Sequence, residues 1–162
     1  MLFDKITIIG IGLIGSSLAR VIMKKGLAGK LCAYDKNPEY LAEAGELGIV
    51  DEISDDLGKA VENADLVVYA TPVGAYGEIT RQIVPYLKKG AILTDVGSIK
   101  KYSIREIEKN LPEDAEVVVV PGHPVAGTEK SGPANGFDTL FEGRWYIAVS
   151  YTHLTLPTNS LV

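Results

Sequence analysis

Thiols, imidazoles and runs of positive charge are all scarce in this sequence, and each scarcity removes a class of function. Cys32 is the one cysteine among 162 residues. A disulfide framework within the chain is therefore excluded, and a reducing, cytoplasmic setting is expected. The thiol itself sits in an apolar run and reads as a small core residue. There are two histidines, His123 and His153. No spacing of Cys, His, Asp and Glu matches a metal-ligand set, so no metal is expected. Lysine and arginine total 16 against 21 acidic residues, a net charge of −5, and no basic run occurs. Nucleic acid and anionic membrane surfaces are accordingly poor partners. No apolar stretch is long enough to span a bilayer. Met1-Leu2-Phe3-Asp4-Lys5 lacks the layout of a signal peptide. Repeats of fixed period and low-complexity tracts are missing too.

What is there is an apolar chain, 46% hydrophobic, long enough for one ordinary domain with a real core. Its organising stretch is Lys5 to Ser17. Ile6 to Ile9 is a β-branched run, as in a strand buried on both faces. Gly10-x-Gly12-x-x-Gly15 follows at once. Apolar residues then recur at Ile14, Leu18, Val21 and Ile22, the spacing of one helix face. The glycines, with Leu13 and Ile14 among them, thus occupy a strand-to-helix turn. Gly10 permits the tight turn, Gly12 lets a pyrophosphate approach the backbone, and Gly15 lets the helix pack closely. The helix N-terminus offers free N–H groups and the positive end of a dipole to an anion. The alternative is a glycine turn that merely packs a helix.

A second run, Lys30 to Tyr34, reads as the next strand, closed by Asp35, 20 residues after Gly15. A carboxylate there can hydrogen-bond both ribose hydroxyls of an adenosine and repels a 2′-phosphate. NAD is therefore the expected cofactor. Lys36, a cation beside Asp35, works against that repulsion.

Strands and helices alternate onward. Asn37-Pro38-Glu39 is a helix start with proline at the first helical position. Asp55 or Asp56 caps a short helix through Val61. Asp65 to Ala70 reads as a buried strand followed by Thr71 and Pro72, which lie near the cofactor if the sheet is open and parallel. For Thr71 a plain strand-end turn is the competing explanation. Pro85 breaks the next helix near Val84. Ala91 to Asp95 is a strand, Ile104, Ile107 and Leu111 mark a helix, and Val117 to Val120 is another strand. The order implies an α/β, Rossmann-type doubly wound fold, a mainly parallel sheet with helices on both faces.

The run Pro121 to Pro133 reads as a long loop stiffened by three prolines, the setting in which function concentrates. His123 can act there as a general base or hydrogen-bond acceptor, or be a solvated loop histidine.

Gly122-His123-Pro124-Val125-Ala126-Gly127-Thr128-Glu129-Lys130-Ser131-Gly132 resembles the signature loop of the prephenate/arogenate dehydrogenases of tyrosine biosynthesis. Asp95-Val96-Gly97-Ser98-Ile99-Lys100 and Leu140-Phe141-Glu142-Gly143-Arg144-Trp145-Tyr146 resemble further family segments. The resemblance covers about Lys5 to Val149. It implies an NAD-dependent oxidative decarboxylation of a small-molecule substrate, prephenate or arogenate, with His123 accepting the proton of the substrate 4-hydroxyl. It also implies that Ser98 bonds the same region, and that Thr128 and Glu129 line the pocket mouth, with Glu129 as a gate. From the residues alone, Ser98 also reads as a helix N-cap, and Glu129 with Lys130 as a solvated loop pair.

Members of that family continue into a helical domain that completes the substrate pocket and forms a homodimer. The expectation is an NAD-binding domain at residues 1–149, with the helical domain absent and a non-native tail at 150–162. Val149 to Thr158 looks like a translated sequencing-library adapter. Competing functions are another NAD(P)-dependent enzyme of the 3-hydroxyacid dehydrogenase or imine reductase type, and a catalytically silent nucleotide-binding module.

Overall fold

The computed structural model describes residues 1–148, so the expected tail at 150–162 lies outside the described residues. Strands β1 (Phe3–Ile9), β2 (Ala28–Tyr34), β3 (Glu52–Ile53), β4 (Leu66–Tyr69), β5 (Ile92–Asp95), β6 (Val118–Pro124) and β7 (Tyr146–Ala148) form one sheet in the order β3-β2-β1-β4-β5-β6-β7. The first six are parallel, and β7 pairs antiparallel with β6. Helices α1 (Leu13–Lys25), α2 (Pro38–Glu46), α3 (Leu57–Val61), α4 (Tyr76–Ile83) and α5 (Lys100–Glu108) connect them.

The period of two along the strands divides the core in two. Ile6, Ile8, Leu31, Ala33 and Val68 face α1 and α2 and pack with Ala19, Ile22, Leu41 and Ala44. Ile9, Val67, Tyr69 and Leu93 face the other way and pack with Leu57, Val61, Tyr76, Ile79, Ile83 and Ile107. Each fully buried Ile or Leu contributes about 1.5–3 kcal/mol. Thr7 and Cys32 are buried as well. Thr7 Oγ1 donates to Ala60 O at 2.6 Å, and burial pushes the Cys32 thiol up to about 11, the state of a core residue.

Local signals set the element ends. Asn37 Oδ1 accepts from Glu39 N at 2.9 Å with Pro38 at the first helical position. Asp56, not Asp55, caps α3 through Lys59 N at 2.9 Å. Gly26, at φ +57°, closes α1 with its own and the Leu27 N–H bonded back into the last turn. α4 stops at Ile83, and Pro85 sits in a 3₁₀ turn over Val84–Tyr86.

Three expectations are corrected. Pro121 to Pro124 belongs to β6 and not to a loop. Pro124 is tolerated because the β5–β6 ladder has ended at Asp95 and Pro121, so its missing N–H deprives no partner. Ser98 is not an N-cap: α5 starts at Lys100 behind Ile99, with no side-chain cap. α5 also ends at Glu108, short of Leu111. The short strands β3 and β7 went unread, because two or three residues carry too little periodicity.

After β6 the chain returns across α1. Arg20 Nη1 donates to Pro133 O at 3.1 Å, and Ser17 Oγ accepts from Phe137 N at 3.1 Å. Lys24 pairs with Asp138 at 2.5 Å. The buried Ser16 and Ser17 give α1 a small polar face on which this segment rests. A groove of about 340 Å3 opens between Leu18 and Val21 of α1 and Phe141, Trp145 and Tyr146.

Candidate functional site

The groups singled out in the sequence lie at the carboxyl ends of adjacent parallel strands: Asp35 after β2, Gly10 after β1, Thr71 after β4, Ser98 after β5 and His123 on β6. Four strand spacings separate β2 from β6, about 19 Å at ~4.8 Å each. From β1 the chain steps to β2 and β3 on one side, then crosses to β4 on the other, so the row spans a topological switch point between β1 and β4, where ligands of open α/β sheets bind.

Gly10 has φ +97°, and a Cβ there would fall 2.7 Å from Ala70 O and 2.8 Å from Thr71 Cγ2. A Cβ on Gly15 would fall 2.0 Å from Gly10 O and 3.2 Å from Ile8 Cγ2. Both glycines are therefore required by packing. Gly12 differs: it is the N-cap of α1, and among the described residues nothing lies within 4 Å of the position of a Cβ. Among the described residues no side chain caps this helix. The first-turn N–H groups of a helix, here those of Leu13, Ile14 and Gly15, have no partner within the helix, and with the space beside Gly12 open among the described residues they suit an anion.

Asp35 is tied to the same turn. Its Oδ2 accepts from Ile11 N at 2.7 Å and its Oδ1 from Asn37 N at 2.8 Å. Lys36 is exposed. Thr71 Oγ1 is buried and has no hydrogen-bond partner among the described residues, beside the Gly10 turn. Pro72 is exposed and opens the 3₁₀ turn Val73–Ala75. An open glycine-lined helix end, an adjacent carboxylate and an orphaned hydroxyl together fit a dinucleotide.

Toward β6 the chemistry changes. His123 is half-buried, and its Nδ1 lies 3.2 Å from Val96 O. A carbonyl only accepts, so Nδ1 is the donor in this contact, and in the neutral ring Nε2 is then the acceptor. Ser98 is exposed at the end of the neighbouring strand. Thr128 lines a cavity of about 490 Å3 with Val125, Phe137, Thr139, Glu142 and Arg144. Its Oγ1 accepts from Lys130 N at 3.2 Å. Glu129 and Lys130 are exposed, and among the described residues neither makes an ion pair.

Sequence reasoning missed the most buried charges here. Asp95 is fully buried. Lys100 Nζ donates to both its carboxylate oxygens at 2.5 Å, and the Lys100 side chain is 13% exposed. Burial pulls Lys100 below its ordinary value, against the opposing hydrogen bond and charge of Asp95. Burial first, and then the Asp95 charge, raises the phenol of the buried Tyr76. The available signal was an aspartate ending an apolar strand with a lysine five residues on. No group of three or more His, Cys, Asp and Glu that could hold a metal ion occurs among the described residues. No helix among them is long and apolar enough to cross a membrane.

A doubly wound sheet, a glycine-rich turn opening on a helix end and a carboxylate closing the next strand define a Rossmann-type nucleotide-binding domain. Residues 18–154 match the family described as prephenate dehydrogenase, nucleotide-binding domain, and the chain belongs to that family. The cyclohexadienyl dehydrogenase of Zymomonas mobilis is 40% identical over 93% of this chain and 50% of its own length. The prephenate dehydrogenase of Bacillus subtilis is 33% identical over 89% of this chain and 38% of its own. The crystal structure of A. aeolicus prephenate dehydrogenase in complex with hydroxyphenyl propionate and NAD+ superposes with a TM-score of 0.82 at 35% identity, covering 91% of this chain and 50% of that one. The chain thus spans about half the length of such relatives, or less.

Proposed function

We propose that this chain is the NAD-binding half of a prephenate or arogenate dehydrogenase, an enzyme of NAD-dependent oxidative decarboxylation that turns prephenate into 4-hydroxyphenylpyruvate. The observation that carries this reading is the state of His123. At the β6 end of the row of site groups, its Nδ1 is spent on Val96 O, leaving Nε2 as acceptor. The family match and the Aquifex structure solved with NAD+ support it.

In this reading Gly10, Gly12, Leu13, Ile14 and Gly15 form the turn that receives the pyrophosphate, against the first-turn N–H groups of α1. Asp35 bonds the adenosine ribose, and its charge disfavours a 2′-phosphate. Thr71 and Pro72 flank the dinucleotide on its way to β5 and β6. Bound NAD supplies a hydride acceptor. The chain's own task is to orient the substrate carbinol and take one proton. As the carbinol C–H bond gives up its electron pair as hydride, His123 Nε2 accepts the hydroxyl proton and a carbonyl forms. The ring carbon–carboxylate bond then breaks and carbon dioxide leaves. Its electrons aromatise the ring, and the proton returns to the phenol oxygen. Ser98 hydrogen-bonds the same oxygen region, while Thr128 and Glu129 line the mouth, with Glu129 as gate. The relatives are about twice as long, and in this reading the rest of such a protein supplies the other substrate contacts and a homodimer interface.

Fluorescence titration with NADH and NADPH tests the cofactor half. NADH binds more tightly; a preference for NADPH would overturn the role given to Asp35. Fusing residues 1–148 to the second half of the Zymomonas relative and following NADH formation from prephenate tests the chemistry. His123→Asn in that fusion removes at least ~100-fold of turnover, the scale of a lost general base, with NADH affinity retained.

A further inference from the structure

We propose that Asp95 and Lys100 are a positioning pair for His123, holding Val96 and Gly122 so that the imidazole is locked as the Nδ1–H tautomer with Nε2 presented to substrate. The inference deepens the function proposed above and rests on it for the use made of Nε2.

The parallel ladder of β5 and β6 ends at Asp95 and Pro121. One residue further, Gly122 turns both its backbone groups toward β5, where no ladder partner remains. Side chains take both. Asp95 Oδ1 accepts from Gly122 N at 3.2 Å, and Lys100 Nζ donates to Gly122 O at 2.5 Å. The same carboxylate accepts from Gly97 N at 3.0 Å through Oδ2. One buried ion pair therefore fixes the residue before His123 and the residues on either side of Val96. Val96 N donates in turn to Tyr69 O at 3.1 Å. The 3.2 Å contact between His123 Nδ1 and Val96 O lies between these fixed points.

An ammonium group has three N–H donors. Two go to Asp95 and one to Gly122 O. Lys100 has none left for a ligand, so it acts through His123 and not on substrate. The pair's burial suits that work: neither group is exposed enough to serve as a surface ion pair.

The experiment uses the intact, 15N-labelled chain and reads the tautomer of His123 at about pH 8.5, roughly two units above the ordinary histidine pKa. His153→Gln assigns the two histidines. The parent chain shows Nδ1 as the protonated nitrogen. Lys100→Met and the charge-neutral double variant Asp95→Asn, Lys100→Met lose that preference, and Nε2–H becomes the major form, as in histidine free in water. The double variant leaves no buried charge unpaired, so it tests the pair even where the single one does not fold. NADH affinity, read on the same samples, stays within about 2-fold, because the glycine turn is built from other groups. Nδ1–H persisting in a folded variant would overturn the proposal, as would Nε2–H in the parent. A chain that binds no NADH but shows the tautomer change would sink the dehydrogenase reading and leave the pair standing.

Discussion

The Asp35 carboxylate grips the turn it serves: Oδ2 accepts from Ile11 N at 2.7 Å, between Gly10 and Gly12, while Oδ1 accepts from Asn37 N at 2.8 Å. One side chain thus sets the glycine turn and offers its charge to a ribose. Asp35→Asn keeps an acceptor for one N–H group and removes the charge. NADH affinity falls about 10-fold, the scale of a charge-assisted hydrogen bond made neutral. NADPH affinity falls less or rises, because the repulsion of a 2′-phosphate is gone. Paired fluorescence titrations read both, and an unchanged NADH/NADPH ratio would remove Asp35 from the specificity role.

Gly15 and Gly12 separate folding from binding. Alanine at 15 places a methyl 2.0 Å from a backbone carbonyl that belongs to the turn itself. That carbonyl is backbone and not the end of a flexible side chain, so Gly15→Ala loses about 2 kcal/mol or more of stability and NADH binding with it. Alanine at 12 meets no atom of the described residues and keeps an ordinary φ of −67°. Gly12→Ala costs about 1 kcal/mol or less, the penalty of alanine at an N-cap, yet puts a methyl where the anion approaches. Urea unfolding therefore distinguishes the variants, while NADH titration finds both impaired.

Acid weakens the edge where β1 begins. Asp65 accepts from Asp4 N at 2.8 Å and Lys5 N at 3.0 Å and pairs with Lys88. The Lys88 hydrogen bond, then that from Lys5 N, holds its carboxyl below the ordinary 3.8. The unfolded chain binds this proton more readily. The stabilisation is therefore fully present above the unfolded value and is lost as pH falls through the folded one. Asp65→Asn is less stable than the parent at neutral pH by about 1 kcal/mol, after allowance for solvent screening. Thermal unfolding from neutral pH downward shows that gap closing in the acid range. A gap constant with pH would mean that the carboxylate's charge does not matter.

Much of this was legible in local sequence. Ile6 to Ile9 with the three glycines gave the strand, turn and helix, and Asn37-Pro38 and Pro85 set helix ends, because each acts within a few residues. The Asp95–Lys100 pair was not legible in its role. Its purpose lies at Gly122, 27 residues from Asp95 and 22 from Lys100, and only the parallel pairing of β5 and β6 brings them together. Pro121 and Pro124 disguised a strand as a loop, since proline is foreign to central strands but admissible where a ladder has stopped. The resemblance located His123; the tautomer that makes it an acceptor came from Val96, a residue with no chemistry of its own.

Thr71 offers a test in which stability and binding move in opposite directions. Its Oγ1 is buried without a hydrogen-bond partner among the described residues, while its Cγ2 packs against the Gly10 turn. A buried hydroxyl with no partner has lost its water and gained nothing in return. Thr71→Val keeps the shape and removes that oxygen, so the free chain is as stable as the parent or more stable by up to about 1 kcal/mol. If the hydroxyl instead finds its partner in the bound dinucleotide, the same variant binds NADH about 3- to 10-fold more weakly, the worth of one neutral hydrogen bond. Urea unfolding with and without saturating NADH reads both effects on one sample. A variant less stable without ligand would mean the hydroxyl is satisfied in the free chain. Unchanged NADH affinity would take Thr71 out of the cofactor site and leave it a plain strand-end residue.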